Sequence, residues 1–203
     1  DRSPSRGLGD VYKRQKLELL SEHPDCTEDQ LKEIAGLHQA LNGIIRLNKS
    51  LLLLSRIDNK QFPETRDICL NHLIHKILEG INDIYERKAL HLRVSEKESL
   101  VCTMNESLAT TLITNLIKNA YVHNYEKGDI GITISRRMLT ISNTGIDKTL
   151  DKELLFARFA SQSKQQESTG LGLAIVKSIV DLYSIRIDYQ YANGMHTFTL
   201  LFY

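Results

Sequence analysis

Two asparagines lie four residues apart in a stretch whose apolar periodicity predicts a helix, within the run Asn115 to Asn119. Residues four apart share one face of a helix, so both side chains point the same way. Amide oxygens suit a hard cation such as Mg²⁺, held directly or through water, and such a pair can orient phosphates. Helical asparagines also cap turns or face water, so this pair alone leaves both interpretations open.

Two glycines open a strongly apolar segment in the run Ser168 to Val176. At a helix start, Gly170 and Gly172 leave backbone N–H groups exposed, and these groups together with the helix dipole favour a polyphosphate. The spacing is not that of a Walker A loop, because Lys177 is not in the phosphate-loop position. It is not a dinucleotide fingerprint either, because no third glycine follows. The segment therefore predicts an anion-binding helix start of another kind.

A third polar run, Asn143 to Ile146, follows a predicted strand. Gly145 would let the backbone approach a flat base closely, and the side chain of Asn143 could bond the edge of that base. An ordinary turn after a strand is the alternative.

A pair of aromatic residues, Phe156 and Phe159, flanks Arg158 before a polar stretch over residues 161–169. Aromatic residues three apart are more often structural than ligand contacts, so we expect both to anchor the local structure. Arg158 is either a surface cation or a charge beside phosphates.

A long helix is predicted from Glu28 to about Asn59, because apolar residues recur there at intervals of three and four without an intervening proline. Thr27 precedes two acidic residues and is the expected N-cap. Residues 16–20 look like the end of a preceding helix, so residues 16–60 form a truncated helical hairpin. Residues 1–15 lack this periodicity and resemble translated adapter sequence, so we expect a non-native or disordered leader. The main apolar stripe of the long helix comprises Ile34, Leu37, Leu41, Ile44 and Leu51.

A second apolar set on the same helix, Leu31, Ile45, Leu52 and Ile57, widens the buried face to what a four-helix bundle requires. Dimerisation through the hairpin follows from this pattern. Asn48 lies in a stripe position and is expected either to set the register of the bundle or to face solvent.

After Pro63 the pattern changes to mixed α/β, which predicts a second domain over residues 64–203. Strands are expected at 67–70, 90–94, 100–103, 130–134, 139–141, 185–191 and 196–202. Helices are expected at 71–88, 106–123 and 170–182. Helices interleaved with antiparallel hairpins predict an α/β sandwich with the helices on one face of the sheet.

Composition excludes several classes of partner. The 26 basic and 25 acidic residues nearly balance, so no overall field draws the chain to nucleic acid or to an anionic membrane. The three cysteines are odd in number and lack metal-ligand spacing, which indicates free thiols in a reducing cytosol. The longest apolar run, Leu51 to Leu54, is far below the ~20 residues of a membrane-spanning helix. We expect a cytoplasmic piece whose parent reaches a membrane only through upstream segments.

The order of these motifs resembles the C-terminal half of a sensor histidine kinase of two-component systems, over residues 16–203. Asn115 and Asn119 match the N box of that family, and Asn143 to Gly145 match the G1 box. Phe156 to Phe159 match the F box, and Thr169 to Leu173 match the G2 box. The resemblance implies a Bergerat-type (GHKL) ATP-binding domain preceded by a long-helix dimerisation hairpin, with a mobile lid between the F and G2 boxes.

The resemblance also implies the ligands and partners. ATP and Mg²⁺ would be the cofactors, with the metal at Asn119 and Asn115. The γ-phosphate would pass to a histidine and then to the receiver domain of a response regulator, and a second copy would pair through the hairpin. The expected nucleotide contacts are Asn115, Lys118, Asn119, Asn143, Gly145, Thr169, Gly170, Leu171, Gly172, Leu173 and Thr197.

This chain departs from the family pattern at several positions. Asn143 replaces the usual aspartate and offers only a neutral acceptor to an adenine amino group, which predicts weaker ATP binding. Ala160 and Ser161 replace an aromatic and basic pair, and Ser168 replaces the first G2 glycine.

The His-Glu phosphoacceptor motif is not found, and His38 is followed by Gln39 rather than by an acid. We therefore assign no catalytic residue in this chain.

Two alternatives remain beside the kinase. ATPases of the same fold are expected to carry a water-activating glutamate where this chain has Asn115, so the residue favours phosphoryl transfer over hydrolysis. The other alternative is a degenerate, ATP-free module that dimerises and acts as a scaffold. Asn143 and the altered lid residues are the observations that support this alternative.

Overall fold

The computed structural model describes residues 9, 12, 13, 15, 16, 18–20, 26–85, 88–159 and 170–203, with backbone only at 82–85. The five helices with defined bounds are α1 (Glu28–Asp58), α2 (Leu70–Tyr85), α3 (Glu106–Val122), α4 (Lys152–Leu155) and α5 (Gly172–Leu182). The strands are β1 (Arg66–Cys69), β2 (His91–Glu96), β3 (Val101–Met104), β4 (Asp129–Ser135), β5 (Met138–Thr144), β6 (Arg186–Ala192) and β7 (Met195–Leu201).

The long helix α1 begins with the cap that the sequence predicts. Thr27 Oγ1 accepts from the Gln30 backbone N–H at 3.3 Å, and the Gln30 side chain accepts from the Thr27 N–H at 2.9 Å. These reciprocal bonds satisfy donors that a helix start otherwise leaves unpaired. The described positions between residues 9 and 20, Gly9, Tyr12 and Lys16 among them, are also helical, including positions inside the predicted leader.

The apolar stripe of α1 has two different environments. Leu37 and Ile44 are 57% and 63% exposed in the single chain, whereas Leu54 and Ile57 near the end are 1% and 3% exposed. The last turns of α1 pack against α5, so this end of the helix is part of the same core as the α/β domain. The free stripe therefore covers the middle of the helix, and the domain boundary predicted between residues 60 and 64 is spanned by packing.

The α/β domain contains a five-stranded sheet in the order β2-β4-β5-β7-β6 and a separate ribbon of β1 and β3. Burial alternates strictly along β4, β5 and β7, as expected for a sheet with one covered face. Helices α3 and α5 pack on this face and against each other. The predicted α/β sandwich is confirmed.

Pairing differs from the prediction at one edge of the sheet. The sequence pattern predicts antiparallel hairpins but no partner for β2, which runs parallel to β4. Parallel neighbours need a crossover connection, and the chain provides it through β3 and α3. The short helix α4, capped by Asp151, was not predicted either.

Helix α3 lies at the centre of the core and is fixed at both ends. The Asn105 side chain caps its start by accepting from the N–H groups of Ser107 and Leu108. At its end, the ammonium of Lys88 donates to three carbonyl oxygens, those of Tyr121, Val122 and Asn124, at 2.9–3.0 Å. A cation at this end also complements the helix dipole. The element that carries the paired asparagines is thus rigidly held.

Among the described residues, no helix is both long enough and apolar enough to cross a bilayer.

Candidate functional site

The paired asparagines of α3 lie at the surface of the core, one turn apart. Asn115 and Asn119 are half-buried, whereas Lys118 between them is exposed. Asn115 Nδ2 donates to the Thr111 carbonyl at 2.9 Å, which fixes the orientation of the amide. Asn115 Oδ1 accepts no hydrogen bond from the described residues, so an oxygen ligand faces away from its own helix.

The start of α5 meets this oxygen. A Cβ added to Gly172 would lie 3.1 Å from Asn115 Oδ1, so the two helices touch where the asparagine projects. The N-cap residue of α5 is Leu171, which makes no side-chain cap. No side chain among the described residues caps the first N–H groups of α5, as an anion site requires.

Within the described part of the glycine-containing run, from Gly170 to Leu173, the backbone is the part available to a ligand. Leu171 is fully buried and Leu173 is half-buried against the core, so both side chains serve packing. Gly170 has a positive φ of 67°, a conformation that favours glycine, and its carbonyl accepts from the Phe159 N–H at 3.1 Å. Thr169, predicted as a contact, lies outside the described residues.

The third polar run, Asn143 to Ile146, lies against the C-terminal end of α3. Asn143 is 2% exposed and its Nδ2 donates to the Thr144 carbonyl at 2.8 Å, which leaves Oδ1 as the acceptor. A Cβ on Gly145 would lie 3.0 Å from the His123 carbonyl oxygen, at the C-cap of α3. A side chain has no room at Gly145, as a close backbone turn implies.

Two glycines from separate motifs thus lie against one helix. Gly172 contacts Asn115, and Gly145 contacts His123, eight residues further along. At ~1.5 Å per residue this spans about 12 Å of α3. The helix start, the paired amides and the turn after β5 therefore lie along one stretch of α3.

A buried hydrogen-bond network around Asn124, which the sequence did not predict, holds this turn in place. Asn124 Oδ1 accepts from the Thr144 hydroxyl at 2.6 Å, and Asn124 Nδ2 donates to the Asp129 carbonyl at 3.0 Å. A Cβ on Gly128 would lie only 2.0 Å from Asn124 Oδ1, so only glycine fits beside the network. Asn124 follows a helix in a polar stretch, and nothing in that pattern distinguishes it from a loop residue.

The register of the sheet corrects the prediction for Thr197. On β7, Thr197 faces Ser142 and His196 faces Asn143. Side chains directly opposite each other share a face of the sheet. Thr197 therefore lies on the face away from Asn143, and the buried neighbour of Asn143 is His196. A shift of one residue along a strand exchanges the two faces, which is why the sequence alone misplaced this contact.

The two aromatic residues lie in different environments. Phe156 packs against the core, as expected of an anchor, but Phe159 is 59% exposed and has a positive φ of 66°. The prediction of an anchor at Phe159 is wrong, because the chain turns sharply there. Arg158 forms an ion pair with Asp58 of α1 at 3.0 Å, which matches the surface-cation interpretation.

The donor set suits a small oxygen-binding cation better than a soft metal. Within the described ranges, no three His, Cys, Asp or Glu side chains could hold a metal ion together. Mg²⁺ in proteins commonly takes one or two protein oxygens and completes its shell with phosphate and water. Asn115 and Asn119, beside an uncapped helix start, fit that requirement.

Comparison with known proteins identifies a family model and several relatives of this chain. Residues 104–202 match the family model described as histidine kinase-, DNA gyrase B-, and HSP90-like ATPase. Over 186 residues the chain is 33% identical to the heme sensor protein HssS of Staphylococcus saprophyticus, covering 88% of this chain and 39% of that protein. HssS of Staphylococcus aureus strain Newman is 32% identical over 191 residues, covering 90% and 42%. The chain thus spans about two fifths of these relatives.

Solved structures share the fold. The catalytic domain of histidine kinase ThkA superposes with a TM-score of 0.58 at 23% identity, covering 68% of this chain and 93% of that one. The Acinetobacter baumannii histidine kinase AdeS gives a TM-score of 0.62 at 17% identity, covering 94% and 93%. Full-length ShkA in complex with AMPPNP gives 0.67 at 16% identity, covering 97% and 46%.

Proposed function

Since residues 104–202 belong to the histidine kinase-, DNA gyrase B- and HSP90-like ATPase family, we propose that this chain is the ATP-binding catalytic end of a sensor histidine kinase. The observation that carries the proposal is the contact between Gly172 and Asn115 Oδ1. It brings an uncapped helix start and a pair of amide oxygens to one place, which is what a magnesium nucleotide needs.

Each part of the site has a role in this proposal. The backbone N–H groups of Gly170, which precedes α5, and of Gly172, which begins it, bind phosphate oxygens. Asn119 holds the metal with help from Asn115, and Lys118 offers a cation at the solvent edge. Bound Mg²⁺ supplies charge neutralisation to the phosphates. Asn143 Oδ1 accepts from the adenine amino group while the backbone at Gly145 lies against the base.

The same residues favour transfer over hydrolysis. Asn115 stands where, by the resemblance, ATPases of this fold place a glutamate, and an amide cannot take a proton from water. ATP is thereby preserved until a better nucleophile arrives. The γ-phosphate then passes to a histidine on a segment outside this chain, and from there to an aspartate of a response regulator. A second copy of the chain pairs through the exposed stripe of α1.

A thermal-shift titration with Mg-ATP tests the proposal. A ligand present at 100 times its Kd stabilises the folded state by ~2.7 kcal/mol, whereas a site that binds nothing gives no shift. Asn119→Ala should abolish the shift. Asn48→Ala, which changes an exposed asparagine of α1, should leave it intact. No shift at millimolar Mg-ATP would favour the scaffold, and rapid ATP turnover lost in Asn119→Ala would favour the ATPase.

The transfer step needs the upstream segment. Joined to a native upstream segment that carries a His-Glu motif, the protein should form an acid-labile phosphohistidine from ATP. The chain alone should not label. Labelling of the chain alone would contradict the assignment of the acceptor to another segment.

A further inference from the structure

The hairpin of β6 and β7 is hydrogen-bonded to the loop that follows β5. Three of its side chains lie on the covered face of the sheet, and all three bond to residues 146–150. His196 bonds to the carbonyl of Ile146, Tyr191 to the side chain of Asp147, and Tyr189 to the backbone N–H of Leu150.

His196 lies nearest to the proposed base site. It is the direct neighbour of Asn143 across the β5–β7 pair, and Tyr191 is its neighbour on β6. It is 5% exposed, and its Cδ2 would lie 3.0 Å from a Cβ on Gly145. The ring therefore packs directly behind the turn formed by Asn143 and Gly145.

The hydrogen bonds of the ring fix its tautomer. The Ile146 carbonyl can only accept, so His196 Nε2, at 2.9 Å, carries the proton and donates. His196 Nδ1, at 2.8 Å from the Tyr189 hydroxyl, then accepts from it. The Tyr189 oxygen in turn accepts from the Leu150 N–H at 3.2 Å. Both ring nitrogens of His196 and the Tyr189 hydroxyl therefore have hydrogen-bond partners.

We propose that His196, held by Tyr189, is a positioning residue that fixes the turn at Asn143 and Gly145 for a purine base and so sets the preference for adenine. This inference rests on the proposed function, because it assumes that a nucleotide base occupies the turn. His196 acts through the backbone at Ile146 and through packing on Gly145. Its contribution is therefore to recognition of the base and not to the phosphates, which are bound at α5.

Binding of ATP and of GTP, measured by competition with a fluorescent ATP analogue, separates these contributions, because the two nucleotides differ only in the base. His196→Leu removes both ring bonds and should weaken ATP binding by about tenfold, as expected when a buried hydrogen-bonding partner is lost. GTP binding should change little, so the preference for ATP falls by about the same factor. His196→Gln retains an amide that can donate to Ile146 and should restore most of the preference.

Thr199→Val provides the matched control, since Thr199 lies on the same strand as His196 but on the opposite face of the sheet. It should keep the wild-type ratio. If His196→Leu does not fold, Tyr189→Phe removes the hydroxyl that orients the ring and should lower the ratio in the same direction. Equal loss of ATP and GTP binding in these variants, or unchanged ATP binding, would overturn the inference. If the wild-type chain binds neither nucleotide, the proposed function itself fails.

Discussion

The oxygen of Asn115 on α3 would lie 3.1 Å from a Cβ on Gly172 of α5. That distance is shorter than ordinary van der Waals contact, so a side chain at this position would be crowded against the asparagine. The amide of Asn115 is already fixed by its bond to the Thr111 carbonyl. A methyl group at Gly172 therefore has to displace the asparagine or shift the start of α5.

Gly172→Ala should weaken Mg-ATP binding by about tenfold while leaving the folded state as stable as before or more stable. Alanine favours a helix over glycine by ~1 kcal/mol, which offsets the crowding. The matched control is Gly80→Ala, a helical glycine of α2 with nothing within 4 Å of the added Cβ. Calorimetric titration and urea unfolding of both variants make the comparison, and unchanged ATP affinity in Gly172→Ala would count against the site.

Gly128→Ala should cost about 3 kcal/mol of folding stability, because overpacking and a broken buried hydrogen bond add. The added Cβ would lie 2.0 Å from Asn124 Oδ1 and 2.4 Å from Thr144 Oγ1. The hydrogen bond between these two oxygens joins the end of α3 to the turn after β5. Gly36→Ala in α1, where the added Cβ meets nothing within 4 Å, is the control and should not destabilise. Urea unfolding measures both changes.

Lys88→Met should destabilise the protein by about 2 kcal/mol, since a charged donor to three carbonyls at a helix end is lost. Lys76→Met removes an exposed lysine of α2 and should change stability by less than about 0.5 kcal/mol. Equal effects of the two substitutions in chemical denaturation would show that the capping bonds contribute nothing.

The two cysteines of the β1–β3 ribbon should differ in reactivity. Burial, together with the charge of Asp67, raises the pKa of the Cys102 thiol to about 11. The backbone N–H of His72 and then the Ser99 hydroxyl lower the pKa of Cys69. Because the thiolate is the nucleophile, iodoacetamide at pH 8 should label Cys69 at least about tenfold faster than Cys102.

Peptide mass spectrometry over a time course measures the two labelling rates. Ser99→Ala should slow the labelling of Cys69, and raising the pH towards 11 should accelerate that of Cys102. Similar rates for both thiols at pH 8 would contradict the assignment.

Ile44→Asp should weaken self-association of the chain by at least about tenfold without lowering the stability of the monomer, because Ile44 is exposed in the single chain and a buried unpaired charge is costly at an interface. Ala35→Asp introduces the same charge on the opposite side of α1 and should leave association unchanged. Light scattering coupled to size exclusion determines both masses. A wild-type monomer at high concentration would remove the basis for pairing through α1.

The architecture follows closely from the sequence because its signals are local. Period-2 alternation at residues 130–134 and the Arg136-Arg137 turn predict the β4–β5 hairpin, and Thr27 predicts the start of α1. The parallel pairing of β2 with β4 depends on contacts distant in sequence, and no local pattern encodes it. Residue bounds shift by one to three positions for the same reason, as at Leu70, which begins α2 instead of ending β1.

The site likewise combines features that local sequence predicts with features that depend on contacts distant in sequence. The motifs predict which segments meet, and the contacts of Gly172 and Gly145 with α3 are consistent with that. The supporting side chains, Asn124 and His196, were not predicted, because their roles depend on register and on burial. Thr197 and His196 are adjacent in sequence, and only the pairing with β5 determines which of them accompanies Asn143.

The hydrogen bond from the Phe159 N–H to the Gly170 carbonyl has a consequence for the length of the interval between them. It joins the chain on either side of residues 160–169, so that the two flanks meet. The entropy cost of closing a chain segment grows slowly with its length, by ~0.6 kcal/mol for each doubling. We therefore expect the start of α5, with its contact to Asn115, to be retained when the number of residues in that interval changes.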